Sequence, residues 1–305
     1  MIELPIELVV YVCDYLDDKD KFSIFFACKT FRSYSSLIRL KKFYTYYKIK
    51  NFMNEFKFDN IWYFFDGEVV PHGITILCFP NMFNKSIANL IPNSTSNIIF
   101  GRNFNQPLNE FCLEETLPNL RELTFGEYFN QSIKYLPKRV IKLTFLGPFN
   151  EEIHGKIPHG TKYLTFSNSF KGCIPNSVTH LTFGNNFNQP IEGCIPNSVT
   201  HLTFGNNFTQ PIEGCIPDSV THLTFGSGFH FPIVESVNYV FKFDSYPIYG
   251  NFDDENSDNN ILTPVINNLT SKSLLPSNLI HLTLSKRLYE KNEYFLDPKI
   301  KITLI

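Results

Sequence analysis

HLTFGNNFNQPIEGCIPNSVT, residues 180–200, is followed directly by HLTFGNNFTQPIEGCIPDSVT, residues 201–221. The two blocks differ at only two positions, so this part of the chain repeats itself with a period of 21 residues. Self-similarity at a short fixed period is the sequence signature of a solenoid, in which every repeat packs on its neighbours. This stretch therefore decides the fold.

Each block contains a short alternating segment. Leu202 and Phe204 share one face of an extended chain, while His201 and Thr203 share the other. Period-2 alternation of this kind predicts a half-buried β-strand. The prolines that follow in the same block exclude a helix from the return path, so we expect turns and extended backbone there.

The pattern extends well beyond these two blocks. A phenylalanine four residues after the strand, or its equivalent, recurs at Phe83, Phe104, Phe129, Phe149, Phe170, Phe187, Phe208 and Phe229. The fold class that this predicts is mostly β: a short-period, leucine-rich-repeat-like parallel β-solenoid preceded by a small α-helical domain. Such coils are stable only when stacked, so we expect Phe183, Phe204 and Phe225 to lie in register.

Changes of rhythm divide the chain into five parts. We expect a helical domain over 1–48, a linker and amino-terminal cap over 49–73, the solenoid over 74–233, an irregular insertion over 234–273, and a degenerate repeat with a carboxy-terminal cap over 274–305. The insertion includes an acidic, asparagine-rich stretch that is typical of an exposed loop.

Composition restricts the classes of partner and compartment. The chain has 305 residues and a formal net charge of -2, which gives no electrostatic reason to expect nucleic acid or an anionic membrane surface as a partner. No stretch approaches the roughly 20 apolar residues that span a bilayer. The seven cysteines contain no CxxC pair and are odd in number, which favours a reducing, cytoplasmic location.

The motif F-N-Q-P-I, followed by I-P-N-S-V-T-H-L-T-F-G, resembles the FNIP repeat family, with near-complete copies at 180–221. The resemblance implies a leucine-rich-repeat-like array. The family is encountered in social amoebae and in giant viruses that infect amoebae. For a viral protein, the expected location would be the cytoplasm of the host.

The first 48 residues have a helical rhythm. Pro5 can occupy the first turn of a helix that runs to about Leu16, a second helix follows the acidic break, and a third is expected from Phe31 to about Lys48. The first helix carries two apolar stripes, and a unit of this size cannot bury both. One stripe must therefore contact the solenoid or another protein. The stripes are Ile6, Val9, Val10, Cys13 and Leu16, and Leu8, Tyr11, Val12 and Tyr15.

The same segment resembles an F-box, through Leu4-Pro5-x-Glu7-Leu8, Tyr15-Leu16-x-x-x-Asp20 and Ala27-Cys28-Lys29 with a following aromatic residue. It departs from the usual pattern in having Phe31 where a tryptophan is common. The resemblance implies docking on the Skp-type adaptor of cullin–RING ubiquitin ligases. The residues that it would place against the adaptor are Leu4, Pro5, Leu8, Val12 and Leu16.

The solvent face of the strands supplies a second candidate site. The histidines at the first strand position recur every 21 residues and should stack in a column. They do not continue as a metal-ligand set, because equivalent positions carry Lys, Tyr and Glu, so duplication of a surface residue is the favoured explanation. The candidate target-binding face is Glu122, Lys142, Tyr163, His180, His201 and His222.

Catalysis finds no support in the motifs. The sequence has no GxSxG, P-loop or HExxH pattern, so we expect no catalytic, cofactor-binding or metal-binding residues and no cofactor. The function that fits is the substrate-recognition subunit of an SCF-type cullin–RING ligase, with an unknown protein target. The main alternative is a non-enzymatic repeat scaffold unrelated to ubiquitin, whose helices merely cap the solenoid. An enzyme within residues 234–273 is a third, weaker possibility, because that stretch lacks convergent catalytic residue types.

Overall fold

A computed structural model describes residues 5–108, 113–234 and 273–305. Its main feature is one 12-stranded sheet in which strands follow one another in chain order and all named strands pair in parallel, so each coil contributes one strand. The parallel β-solenoid predicted from the sequence is confirmed. The strands are β1 (Arg39–Thr45), β2 (Lys57–Phe64), β3 (Ile76–Cys78), β4 (Asn97–Ile99), β5 (Glu122–Phe125), β6 (Lys142–Phe145), β7 (Tyr163–Phe166), β8 (His180–Phe183), β9 (His201–Phe204), β10 (His222–Thr224), β11 (His281–Leu284) and β12 (Lys301–Leu304).

The helices are short and lie mainly at the amino-terminal end. They are α1 (Ile6–Tyr15), α2 (Asp18–Ala27), α3 (Lys29–Arg32), α4 (Tyr46–Ile49), α5 (Leu113–Thr116) and α6 (Lys286–Asn292). The third helix expected from Phe31 to about Lys48 is wrong, because α3 ends at Arg32 and β1 begins at Arg39. The aromatic residues of this segment favour a strand, and pairing with β2 extends the sheet well before residue 74.

The core is built from two parallel columns of phenylalanine. Phe183, Phe204 and Phe225 stack with ring centroids 5.4 and 5.6 Å apart, which confirms the predicted register. The second column continues beside it, with Phe208 and Phe229 5.9 Å apart. Within one coil, the rings of Phe204 and Phe208 are 4.1 Å apart. Each of these side chains is almost fully buried, and burial of one such ring contributes about 1.5–3 kcal/mol.

Glycine allows the coils to approach closely next to this core. A Cβ on Gly205 would lie 2.4 Å from the carbonyl group of Gly184 on the preceding coil, and one on Gly226 would meet Gly205 in the same way. Any side chain here would force neighbouring coils apart, which explains why glycine follows the strand phenylalanine in these copies.

Asparagine ladders run parallel to the phenylalanine columns. The backbone N–H of Asn105 donates to Oδ1 of Asn84, that of Asn130 to Asn105, and that of Asn150 to Asn130, each at 2.9 Å. Every rung joins one coil to the next through a group that the sheet leaves unpaired. The repeated asparagine after the second phenylalanine is therefore a structural residue, a role that composition alone did not indicate.

The shortened coil around Phe170 keeps the stack intact. Gln189 Oε1 accepts from the backbone N–H of Phe170 at 3.1 Å, and Gln189 Nε2 donates to the Phe170 carbonyl at 3.2 Å. The rings of Phe170 and Phe187 remain 6.0 Å apart. A glutamine from the next coil thus bonds the backbone where the repeat is shorter.

The predicted insertion at 234–273 lies outside the described residues except at its two ends. Val234 and Ser273 form an antiparallel bridge. His222 and His281 are paired in register although 59 positions separate them, and 38 of those positions belong to residues 235–272, which leaves one coil of 21. The last two strands fall where the degenerate repeat and the final strand were predicted.

The amino-terminal helices complete the first edge of the sheet. Asp18 Oδ2 accepts from the backbone N–H of Lys42 at 2.7 Å, and Oδ1 accepts from that of Lys41 at 3.2 Å. Lys21 Nζ donates to the carbonyl of Arg39 at 3.0 Å. Since β1 has a strand neighbour on one side only within the described chain, α2 supplies partners to backbone groups of the terminal strand.

Candidate interaction surface

The strand register arranges the solvent-facing side chains in two columns, which together form what we call the outer face. Along each strand the burial alternates, with Leu202 and Phe204 inside and His201 and Thr203 outside. The first outer column is Trp62, Ile76, Asn97, Glu122, Lys142, Tyr163, His180, His201, His222, His281 and Lys301. The second outer column is Phe64, Cys78, Ile99, Thr124, Thr144, Thr165, Thr182, Thr203, Thr224, Thr283 and Thr303.

The six residues of the candidate target-binding face lie next to one another in the first outer column. Lys142 Nζ is 3.8 Å from Glu122 Oε2 in an exposed ion pair. The predicted histidine column is present, with ring centroids 4.2 Å apart both between His180 and His201 and between His201 and His222. Tyr163 extends the stack, 4.5 Å from the ring of His180.

Threonines fix the orientation of the histidine rings. Thr200 Oγ1 donates to the carbonyl of Thr179 at 3.2 Å and lies 2.9 Å from Nδ1 of His201. Because the single hydroxyl hydrogen is used by the carbonyl, the network assigns the hydrogen of the neutral ring to Nδ1, which donates to Oγ1. The same pair recurs at Thr221 and His222, at 3.0 Å. The Nε2 atoms are therefore the hydrogen-bond acceptors of the column.

The column is electrostatically tuned towards the neutral form. Partial burial lowers the pKa of His180, and repulsion from His222 lowers it further. Burial likewise lowers the pKa of His201, with added repulsion from His180 and His222. Stacked imidazoles thus resist accumulating charge, and the surface that they present near neutral pH is uncharged.

The amino-terminal end of the outer face is apolar. Trp62 and Phe64 continue the two columns on β2, and Ile76 and Cys78 continue them on β3. Ile76 and Cys78 are buried although they point outward, and burial raises the pKa of the Cys78 thiol to about 11. The sequence analysis assigned this region to a linker and cap. The alternation in Ile61–Phe65 was the signal that could have identified a strand.

The first helix presents one apolar stripe to solvent. Val9 and Cys13 are buried, whereas Leu8 is 50% and Val12 53% exposed. Tyr11 and Tyr15 extend the exposed stripe. Among the residues that the F-box resemblance places against an adaptor, Leu8 and Val12 therefore lie together on the free side of α1, Pro5 is exposed at its N-cap, Leu16 is half-buried at its C-cap, and Leu4 lies outside the described residues.

Two searches bear on other kinds of site. Within residues 5–108, 113–234 and 273–305, no three His, Cys, Asp or Glu side chains are grouped so that they could hold a metal ion. In the same described segments, no helix has both the length and the apolar character needed to cross a bilayer.

The comparisons with known proteins agree with the architecture. The family model for the FNIP Repeat matches residues 83–128, 129–169, 149–186, 170–192 and 187–228. Among solved structures, CroV588, described as a novel circular leucine-rich-repeat protein, is 32% identical with a TM-score of 0.51. The match covers 82% of this chain and 37% of CroV588, so the chain spans well under half the length of that protein. No curated protein matches the sequence.

Proposed function

Because residues 83–228 carry FNIP repeats in a leucine-rich-repeat-like solenoid, a fold typical of interaction scaffolds, we propose that the protein is the substrate-recognition subunit of an SCF-type cullin–RING ubiquitin ligase. In this proposal α1 docks on the Skp-type adaptor and the outer face binds a target protein. The observation that carries the ligase part is the exposed apolar stripe of α1, formed by Leu8, Tyr11, Val12 and Tyr15.

The stripe is larger than the fold requires. The opposite side of α1 packs through Val9 and Cys13 into a small core with Phe25, Leu40 and Phe56, which is sufficient to hold the helix in place. A contiguous exposed apolar stripe on a helix is characteristic of a protein-docking surface. The side of the helix that the F-box resemblance assigns to an adaptor overlaps this stripe at Leu8 and Val12.

The mechanism would be tethering. A protein that binds a ligase through its helices and a target through its solenoid raises the local concentration of target lysines beside the charged ubiquitin carrier. The chain itself would perform no chemistry. The strength of the effect depends on how firmly the two surfaces are held relative to one another, and the Asp18 and Lys21 contacts to β1 provide such a connection.

The alternative, a non-enzymatic scaffold whose helices only cap the solenoid, has one observation in its favour. Asp18 and Lys21 of α2 bond backbone groups at the first edge of the sheet, as a cap would. This arrangement explains α2 but leaves the exposed stripe of α1 without a role. Capping and docking by neighbouring helices are compatible, so the ligase proposal accounts for more of the surface.

Adaptor binding tests the proposal directly. The double variant Leu8→Asp, Val12→Asp places charges on the exposed side of α1, so its thermal stability should match the wild type while its affinity for a recombinant Skp-type adaptor falls at least tenfold. Val69→Asp, at a residue 86% exposed and outside α1, is the matched control and should bind normally. Equal adaptor binding by all three proteins, or no binding by the wild type, would reject the ligase role and favour the scaffold.

A further inference from the structure

We propose that the aromatic end of the outer face, formed by Phe43, Trp62 and Phe64, is the principal docking site for the target, and that it takes a protein segment with apolar side chains flanked by acidic residues. The inference rests on the proposed role of the outer face in target binding, but not on the ligase role. We refer to these three residues as the aromatic patch.

The aromatic patch is a connected and accessible cluster. Phe43 is 67% and Phe64 55% exposed, and Trp62 is half-buried between them. The ring centroids of Phe43 and Trp62 are 6.3 Å apart, and those of Trp62 and Phe64 are 5.9 Å apart. Because Ile76 lies beside Trp62 and Cys78 beside Phe64 on the next strand, the apolar surface continues across two coils.

The solenoid does not need aromatic residues at these positions. In β5 to β10, the same two columns carry threonine and polar or ring side chains while the sheet continues in unchanged register. The end of the core is covered from the inside, where Ile49, Tyr63 and partly buried Tyr46 belong to the main core cluster. Capping therefore does not explain aromatic side chains on the outer side of β1 and β2.

Large aromatic side chains exposed as a group are characteristic of the energetic centre of a protein interface. Tryptophan and tyrosine are enriched among residues whose truncation costs most in binding, and such residues cluster within a polar rim. The aromatic patch passes along both columns into the threonine and histidine surface. It thus supplies the apolar centre that the polar part of the outer face lacks.

Charge indicates the flanks of the partner. Residues 39–64 contain six Lys or Arg and two Asp or Glu, in a chain whose formal net charge is -2. The side chains of Arg39, Lys41 and Lys42 are 68%, 60% and 59% exposed, and their pairs with acidic residues are surface pairs. Surface pairs contribute little and exchange readily, so a basic rim beside the aromatic patch is available to an acidic partner.

The register also sets a minimum size for a partner that uses the whole outer face. Trp62 and Tyr163 are five strand steps apart in the first outer column. At about 4.8 Å per step this is roughly 24 Å. A segment that contacts both the aromatic patch and the histidine column therefore needs about 16 residues if helical, or about seven if extended.

The single tryptophan of the chain provides a direct readout, since Trp62 is the only one. The probes are three synthetic 20-residue amphipathic peptides: one with leucine on one face and glutamate on the other, one with lysine in place of glutamate, and one with serine in place of leucine. We expect the leucine–glutamate peptide to shift Trp62 emission to shorter wavelength and to protect it from acrylamide. The other two should bind at least tenfold more weakly.

Substitution locates the site. The double variant Phe43→Ser, Phe64→Ser retains Trp62 and should lower affinity for the leucine–glutamate peptide at least tenfold. Tyr294→Ser, at a residue 89% exposed in another part of the fold, is the matched control and should bind like the wild type. No response of Trp62 to any peptide, or equal binding by the double variant, would overturn the proposal.

Two other occupants are separated by the same signal. Protection of Trp62 by phosphatidylserine vesicles but not by the peptide would assign the aromatic patch to a lipid surface. Protection that depends on protein concentration alone, with a matching rise in sedimentation coefficient, would assign it to a second copy of the chain. Either result overturns the target-docking proposal. Because adaptor binding is tested at α1, failure at the aromatic patch and failure of the ligase role give different results.

Discussion

Lys21 Nζ lies 3.5 Å from Asp18 Oδ1, and both side chains are almost completely buried between α2 and β1. Each also bonds the backbone of β1, Asp18 to two amides and Lys21 to a carbonyl. Burial opposes ionisation of Asp18, but hydrogen bonds from Lys42, Tyr44 and Lys41 together with the Lys21 charge outweigh it, so the pKa of the carboxyl is lowered. The pair thus joins the helices to the sheet in ionised form.

Asp18→Ala should therefore be strongly destabilising. Removing one partner leaves a buried ammonium group and two amides without acceptors, a loss of about 3–5 kcal/mol in the free energy of unfolding. Asp14→Ala, in an exposed ion pair with Lys41, should cost less than about 1 kcal/mol. Urea unfolding measures both, and equal costs for the two variants would contradict the proposed role of Asp18.

The histidine column should make stability depend on pH between about 7.5 and 5.5. His180 and His201 have pKa values below the reference of 6.5, so the unfolded chain binds more protons than the folded one as the pH falls through this range. Stability is fully present above the unfolded pKa and decreases as the pH drops towards the folded values. Aspartates with lowered pKa, such as Asp18, stay ionised throughout this window.

Unfolding at several pH values tests this dependence. The triple variant His180→Gln, His201→Gln, His222→Gln should lose less stability than the wild type between pH 7.5 and 5.5. Nitrogen-detected NMR of the wild-type rings should also show hydrogen on Nδ1 at pH 7.5. An unchanged pH slope in the triple variant, or hydrogen on Nε2, would be inconsistent with the network.

The phenylalanine columns should dominate stability. Phe204 is 1% exposed and stacks on both neighbouring coils, so Phe204→Ala should lower the free energy of unfolding by about 3–5 kcal/mol. Phe43→Ala, on the exposed outer face, should change it by no more than about 0.5 kcal/mol. The comparison uses urea unfolding, and similar losses in both variants would contradict a stability that resides in the buried columns.

The asparagine ladder should contribute less per residue. Asn105 Oδ1 accepts from the backbone N–H of Asn130 and, at 3.2 Å, from Nε2 of Gln131. Asn105→Ala removes the acceptor and should cost about 1 kcal/mol, whereas Asn105→Asp keeps it and should cost less. Hydrogen exchange at the Asn130 amide provides the local measurement: faster exchange in the alanine variant alone is expected, and equal exchange in both would exclude the ladder.

Regular repeats made most of the solenoid predictable. Once Leu202 and Phe204 were assigned to one face, the period placed their equivalents, and the histidine column followed because residues at one repeat position stack in a parallel sheet. Pattern failed where the period ends. The segment from Phe31 to Lys48 contains both helix-forming and strand-forming residues, and only its pairing with β2 and the buried position of Leu40 select the strand.

The candidate sites were predictable to different degrees. Strand alternation identified Glu122 to His222 as solvent-facing, but the aromatic patch was missed because Trp62 and Phe64 belong to a coil without the repeat motif. The tautomer of His201 depends on where the Thr200 hydroxyl donates, a detail of side-chain geometry that periodicity does not contain. The role of Asp18 likewise depends on contacts with residues more than 20 positions away.

The antiparallel bridge between Val234 and Ser273 has a practical consequence for engineering. A coil that admits 38 extra positions and still returns to register at His281 has, in effect, a natural splice point. Since the two ends are already adjacent, foreign cargo introduced there should close its own loop at little entropic cost. A fluorescent or affinity module could be carried at this position while the recognition surface on the neighbouring strands is left undisturbed.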